Sequence, residues 1–107
     1  RVENALVNGI ENAVFVPGTV EALLDGALPG PADAVVVDPP RAGLTAQALA
    51  QVVRAGAPRV IYVSCNPATL VRDLRSFAEA GYRIVSLSPF DLFPHTPHLE
   101  TLAVLAR

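Results

Sequence analysis

The chain has 107 residues, 51% of them hydrophobic, and a net charge of −2. This apolar content excludes an intrinsically disordered chain and suits one small globular domain. All eight basic residues are arginines and they form no basic stripe. A protein with this charge pattern would need most of its contacts to nucleic acid phosphates to come from another segment or subunit.

The first 30 residues contain two helical patterns and one short strand pattern. Val2, Ala5 and Leu6 fall on one face of a predicted helix, and "AVFVPG" over 13–18 predicts a strand closed by Pro17-Gly18. One or two helical turns and a Gly/Pro loop follow. The chain opens with Arg1 inside a helical pattern, so we expect it to be a piece of a longer protein.

The middle of the chain predicts two strands that flank a helix. "DAVVVDPP" over 33–40 is a β-branched run typical of a strand buried on both faces. Residues 45–56 predict a helix with Thr45 as the N-cap and Gly56 as the stop. "RVIYVSC" over 59–65 predicts a second buried strand.

The last third predicts one helix and two more strands. Residues 67–81 form a helical pattern, with Asn66 as the N-cap, Pro67 as its first residue and Gly81 at its C-cap. Leu70, Leu74, Phe77 and Ala78 form its apolar stripe. Residues 82–93 predict a third strand, and residues 98–107 a fourth with one partly exposed face.

This alternation of strands and helices predicts an α/β fold with a largely parallel sheet. The last two strands are joined by "PFDLFPHTPH", which is too short for a parallel crossover. The terminal strand should therefore run antiparallel to its neighbours. A mostly parallel, Rossmann-like sheet with an antiparallel C-terminal strand is the pattern of class I methyltransferases.

Three polar stretches follow predicted strands or lie in the final hairpin. They are Asp38–Arg41, Ser64–Pro67 and residues 93–100. Ligands of open α/β sheets bind outside the carboxyl ends of the strands. We therefore expect the three stretches to converge on one rim of the sheet.

Cys65 is the single cysteine and lies directly before a predicted helix. A thiol at a helix N-terminus is favoured as the nucleophilic thiolate, whereas most lone cysteines are small buried apolar residues. Both interpretations stay open from this feature alone. A single cysteine cannot form an internal disulfide, so we expect a reducing cytoplasmic environment.

Asp38 and Glu100 are the two acidic candidates. Asp38 ends an apolar run and precedes two prolines, so it either contacts a ligand or acts as a turn acid. Arg41 would contact a phosphate or pair with Asp38. Glu100 interrupts an apolar strand, which suits a general base or a residue at a strand edge that faces water. His95 and His98 lie near Glu100, but no further histidine exists and no metal site is expected.

These stretches together resemble the bacterial S-adenosyl-L-methionine (SAM)-dependent RNA uracil-C5 methyltransferases, which make 5-methyluridine. The matching segments are "VVVDPPRAGL", "RVIYVSCNPATLVRD" and "DLFPHTPHLETLAVLAR", and the resemblance covers essentially the whole chain. The acid-Pro-Pro motif alone is common among methyltransferases. The last two segments are specific to this family, and their variants favour ribosomal RNA, of the 23S type, over transfer RNA as substrate.

The resemblance implies a role for four residues. Cys65 is the nucleophile that adds to C6 of the target uracil, and Glu100 removes the C5 proton. Asp38 lines the SAM and target pocket. Thr19 lies near the adenosine of SAM, at a position where relatives often carry a longer amide or acid.

The resemblance also implies that much of the family's catalytic domain is absent from residues 1–107. The first two strands, with the glycine-rich SAM loop and the acidic ribose contact, have no counterpart, and neither has an N-terminal RNA-binding domain. We therefore expect the chain alone to bind SAM weakly or not at all and to be inactive. The four strands from residue 33 onward should remain contiguous, and an exposed sheet edge would favour self-association. No membrane association is expected, because no apolar stretch reaches about 18 residues.

Two other functions compete with this one. A methyltransferase for cytosine would need a second cysteine, which is absent here because Arg41 stands at the matching position. An adenine enzyme would need neither the nucleophile nor the base. A non-catalytic α/β interaction domain is the third possibility, and the presence of Cys65, Glu100 and Asp38 counts against it.

Overall fold

The computed structural model describes residues 31–91 and 99–107, together with Gly9 and Asn12. The strands are β1 (Ala34–Val37), β2 (Arg59–Ser64), β3 (Arg83–Phe90) and β4 (Glu100–Ala106), and the helices are α1 (Ala46–Ala55) and α2 (Pro67–Glu79). The predicted helix at the start of the chain and the strand at 13–17 lie outside the described residues.

The four described strands form one sheet in the order β1-β2-β4-β3. β1 pairs parallel with β2, while β4 lies between β2 and β3 and runs antiparallel to both. The predicted antiparallel terminal strand and the contiguity of the four strands are therefore confirmed. The expectation of a mostly parallel sheet needs correction: β1, β2 and β3 share a direction, but inserting β4 leaves only one parallel pairing among the described strands.

Helix α1 begins and ends where the sequence predicts. The Thr45 side chain accepts a hydrogen bond from the Ala48 amide, and Gly56 follows the helix in the left-handed conformation with φ 69°. Thr45 supplies an oxygen to an otherwise unpaired amide of the first turn, and Gly56 adopts a positive φ without a Cβ clash.

Helix α2 begins after Asn66 with Pro67 in its first turn, as predicted. Its C-cap is Ala80 rather than Gly81, and Gly81 follows with φ 101°. The amides of Gly81 and Tyr82 donate to the carbonyls of Ala78 and Phe77, which is a Schellman motif. The Tyr82 ring also packs edge-on against Phe77 at 5.7 Å between centroids, so the turn is fixed by both backbone and side chains.

The core lies between one face of the sheet and the two helices. Val60 and Tyr62 of β2, with Ala103 and Leu105 of β4, pack against helix residues. Those helix residues are Val52, Leu70, Leu74 and Phe77. Both helices therefore cover the same face.

The opposite face of the sheet is much more exposed, which contradicts the prediction for β1. Val36 is 65% exposed, although the β-branched run predicted burial on both faces. Ile61 and Val104, which lie beside Val36 in the sheet register, are only partly buried. The physical reason is that α1 and α2 both lie on the other side, so Val36 has no described element packed over it.

Candidate active site

Asp38, Cys65 and Glu100 lie at the same edge of the sheet, here called the carboxyl rim. Asp38 follows the last residue of β1, and Cys65 follows the last residue of β2. Glu100 is the first residue of β4, which runs in the opposite direction. Ser64 pairs with Thr101 across the sheet. Cys65 follows Ser64 and Glu100 precedes Thr101, so both residues lie one position beyond this pair at the rim.

Cys65 lies in a turn that its two neighbours fix by hydrogen bonds. The Ser64 hydroxyl accepts from the Asn66 amide at 3.1 Å and donates to the Asn66 carbonyl at 2.9 Å. Asn66 has an extended backbone, and its side-chain oxygen accepts from the Ala68 amide at 3.1 Å. The half-buried thiol thus directly precedes a capped helix N-terminus, where the helix dipole stabilises negative charge.

Asp38 begins the loop that joins β1 to α1. Its side chain is exposed, whereas the next residue, Pro39, is buried. The loop then turns sharply, with the Gly43 amide donating to the Pro40 carbonyl at 2.8 Å. Gly43 has φ 79°, a conformation that favours glycine.

The Asp38 loop and the Cys65 turn are joined by a direct hydrogen bond. The Asn66 side-chain amide donates to the Arg41 carbonyl at 3.1 Å. One asparagine therefore caps α2 and also ties the loop after β1 to the turn after β2. The expected convergence of the first two polar stretches is found, while residues 93–98 of the third lie outside the described residues.

Glu100 is half-buried at the start of β4 and pairs across the sheet with Phe90. This position lies between the two extremes that the sequence left open, a buried base and a residue that faces water. The carboxylate stands at the rim that Cys65 also occupies, which leaves it accessible to a substrate bound there.

Asp73 is a buried acid that sequence reasoning did not select. It is only 2% exposed, and it accepts hydrogen bonds from the Tyr62 hydroxyl at 2.6 Å and the Leu44 amide at 2.9 Å. Arg72 contacts its other carboxylate oxygen at 3.1 Å. The available signal was its spacing, since Asp73 falls on the stripe of Leu70 and Phe77, where an unpaired charge would be costly.

Burial raises the pKa of Tyr62 well above its usual range, and the hydrogen bond to Asp73 raises it further. The Asp73 charge acts in the same direction, and so, more weakly, does the nearby Cys65. Tyr62 therefore stays protonated and acts as a hydrogen-bond donor beneath the rim.

The remaining sequence candidates have no described contacts. Thr19, His95 and His98 lie outside the described residues. Within 31–91 and 99–107, no three His, Cys, Asp or Glu side chains are grouped to hold a metal ion. Across the same ranges, no helix is long and apolar enough to cross a membrane.

Residues 31–107 match the family model described as tRNA (Uracil-5-)-methyltransferase. The chain belongs to this family. An uncharacterised RNA methyltransferase of Gloeobacter violaceus is 51% identical over 105 residues, which are 98% of this chain and 22% of the relative. Another, from Caldanaerobacter subterraneus, is 46% identical over 105 residues, which are 98% of this chain and 23% of the relative.

A solved structure agrees with the family assignment. The crystal structure of the Pyrococcus abyssi tRNA (uracil-54, C5)-methyltransferase in complex with S-adenosyl-L-homocysteine superposes with a TM-score of 0.81 at 35% identity. The match covers 98% of this chain and 25% of that one. The predicted family membership is thus confirmed, and the chain spans about a quarter of the length of these relatives.

Proposed function

We propose that the complete gene product containing this chain methylates C5 of a uridine in RNA, with Cys65 as the nucleophile and Glu100 as the proton acceptor. The observation that carries the proposal is the shared position of these two side chains at the carboxyl rim. Cys65 follows β2 and Glu100 begins the neighbouring antiparallel strand, next to the Ser64–Thr101 pair.

Cys65 suits the first step because C5 of uracil is a weak nucleophile while the C5–C6 double bond is intact. Addition of the Cys65 thiolate to C6 saturates that bond and moves electron density to C5 and the C4 carbonyl oxygen. Cys65 directly precedes the capped N-terminus of α2, and the Ser64–Asn66 bonds hold its turn in place.

Glu100 suits the last step because C5 then carries both its original hydrogen and the new methyl group. The Glu100 carboxylate takes the C5 proton, the C5–C6 double bond re-forms, and the Cys65 sulfur leaves as thiolate. The Cys65 thiolate is restored in this step, Glu100 is restored when it releases its proton to solvent, and the product is 5-methyluridine.

Asp38 would contribute to a pocket for SAM and the target base. Its exposed carboxylate lies at the carboxyl end of a strand, and no group among the described residues donates to it, so its oxygens fit a ligand with hydroxyl or amino donors. When bound, SAM supplies an electrophilic methyl group to C5. Thr19 stays a candidate for the adenosine end of this pocket.

The RNA substrate must present its target base unstacked, because Cys65 reaches C6 only from the face of the ring. We propose ribosomal RNA, of the 23S type, ahead of transfer RNA. A net charge of −2 gives this chain little attraction for a phosphate backbone, so the rest of the protein would supply most RNA contacts.

The 107-residue chain by itself should transfer no methyl group. It spans about a quarter of its relatives, and residues outside it would complete the SAM site. The free edge of β1 within the described sheet should favour self-association of the isolated chain. Light scattering that finds only monomer over a wide concentration range would contradict this expectation.

Product analysis tests the proposed function. The complete gene product is incubated with SAM and with ribosomal or transfer RNA from cells that lack the gene. The RNA is then digested, and its nucleosides are separated and identified by mass spectrometry. We expect 5-methyluridine in the 23S fraction. Its appearance only in transfer RNA would overturn the substrate preference, and a methylated cytosine or adenine, or no product, would overturn the function.

Two acidic variants test the role of Glu100. With Glu100→Gln, the methylated adduct on Cys65 should accumulate because its C5 proton is not removed. Glu79→Gln is the matched control, since Glu79 is an exposed acid at the end of α2, and it should turn over normally. Equal turnover by both variants would exclude Glu100 as the base.

A further inference from the structure

The loop after β1 is held against helix α2 by four side chains of that helix and its cap. These are Asn66, Thr69, Arg72 and Asp73, here called the loop latch. The Thr69 hydroxyl lies 3.0 Å from the Arg41 carbonyl, to which Asn66 also donates at 3.1 Å. Two donors, one on the N-cap of α2 and one in its first turn, thus converge on one carbonyl of the loop.

Arg72 and Asp73 hold the next part of the loop. The Arg72 guanidinium donates from Nη2 to the carbonyls of Ala42 at 2.8 Å and Leu44 at 3.2 Å. Asp73 accepts from the Leu44 amide at 2.9 Å. Every one of these contacts goes to the loop backbone, so the latch fixes the path of the loop whatever side chains the loop carries.

The loop latch includes a buried, fully hydrogen-bonded carboxylate, that of Asp73. The Asp73 carboxylate is buried and is hydrogen-bonded by the Tyr62 hydroxyl, while Arg72 pairs with it. Gly43 passes so close that a Cβ there would lie 2.5 Å from Nη2 of Arg72 and 2.7 Å from Oδ2 of Asp73. The backbone and the latch are therefore in direct contact, with no room for a side chain.

We propose that the loop latch is a set of positioning residues that hold Asp38 in register with Cys65. Helix α2 begins two residues after Cys65, so the element that orients the nucleophile also anchors the Asp38 loop. A displacement of about 1 Å in such a site can cost about 100-fold in rate. The catalytic part of this inference rests on the proposed function; the anchoring of the loop does not.

Arg72→Gln and Arg75→Gln form a matched pair in the complete gene product. Both arginines are exposed residues of α2, but Arg72 contacts the loop and Arg75 makes no described contact. We expect Arg72→Gln to raise KM for SAM about tenfold with a smaller change in kcat, because the misplaced Asp38 weakens SAM binding. Arg75→Gln should stay within about twofold of wild type.

Thr69→Val and Thr69→Ser give a second pair that does not depend on Arg72 variants folding. Valine has the shape of threonine without its hydroxyl, and serine keeps the hydroxyl. We expect Thr69→Val to raise KM for SAM about threefold or more and Thr69→Ser to restore it. Equal KM values within both pairs, or losses explained by a lower melting temperature alone, would overturn the positioning role.

Hydrogen–deuterium exchange of the loop separates this inference from the proposed function. Exchange over residues 41–45 should rise in Arg72→Gln and not in Arg75→Gln. Unchanged exchange would overturn the latch even in an active enzyme. A wild type without methyltransferase activity would refute the proposed function and the catalytic role, and faster loop exchange in Arg72→Gln would still support the anchoring.

Discussion

The Tyr62 hydroxyl donates a 2.6 Å hydrogen bond to Oδ2 of Asp73 in the interior of the domain. This bond joins the central strand β2 to helix α2 beneath the carboxyl rim. Because the same carboxylate also accepts from Leu44 and Arg72, the buried charge is fully partnered, and it connects the sheet, the helix and the Asp38 loop.

Removing the Tyr62 hydroxyl should cost less folding stability than removing the Asp73 carboxylate. We expect Tyr62→Phe to lower the free energy of unfolding by about 1–2 kcal/mol, since one acceptor loses its donor. Asp73→Leu should cost about 3–5 kcal/mol, because it leaves the Tyr62 hydroxyl and the Leu44 amide unpaired. Urea unfolding followed by circular dichroism measures both. Asp73→Asn, which keeps an acceptor, should fall between them, and equal costs for all three variants would contradict the network.

Alkaline pH should weaken the fold through Tyr62. Its pKa is raised in the folded state, so the folded protein binds the phenolic proton more tightly than the unfolded chain does. The corresponding stability is fully present below the ordinary tyrosine pKa of about 10 and is lost as pH rises beyond it. Tyrosinate absorbance measured alongside unfolding tests this. Ionisation of Tyr62 near pH 10 in a protein that stays folded would contradict it, and Tyr62→Phe supplies the baseline.

Gly43→Ala should disrupt the loop far more than Gly81→Ala. Both glycines have positive φ, so each alanine carries a conformational cost of about 1–2 kcal/mol. Only at Gly43 would the added Cβ press against Arg72 and Asp73, whereas nothing lies within 4 Å of a Cβ at Gly81. We expect a modest fall in melting temperature for Gly81→Ala, and a much larger fall together with loss of activity for Gly43→Ala. Matching behaviour of the two variants would show that the close approach does not matter.

The isolated 107-residue chain should bind SAM weakly or not at all. Asp38, and Thr19 at the adenosine end, would supply only part of the proposed pocket, and the remainder would come from outside the chain. Calorimetric titration of the chain, alongside the complete gene product as the positive control, measures this. Micromolar affinity in the chain, once its thermal transition shows that it is folded, would contradict the expectation.

Local chemistry explains why the helices and the strand directions were predictable. Thr45, Asn66 and Pro67 mark helix starts through bonds within three residues, and the short connection before β4 forces an antiparallel pairing. The local sequence also made Cys65 and Glu100 candidates, and the family resemblance assigned their roles.

Features that depend on distant partners were missed. The exposure of Val36 depends on which face of the sheet the helices cover, and a β-branched run does not indicate which face that is. The latch bonds join residues 25 to 30 positions apart, so the roles of Thr69 and Arg72 cannot be read from their neighbours. Asp73 offered the one available signal, as an acid on an apolar helix stripe.

The most direct test of the central claim is a covalent adduct on Cys65. The complete gene product is incubated with SAM and with RNA that contains 5-fluorouridine. This base carries fluorine in place of the C5 hydrogen, so Glu100 has no C5 proton to remove. We predict a denaturation-resistant protein–RNA complex, with the cross-linked nucleotide mapped to Cys65 by peptide mass spectrometry and absent from Cys65→Ala. Methylation of normal RNA without any adduct, or an adduct that persists in Cys65→Ala, would contradict the account.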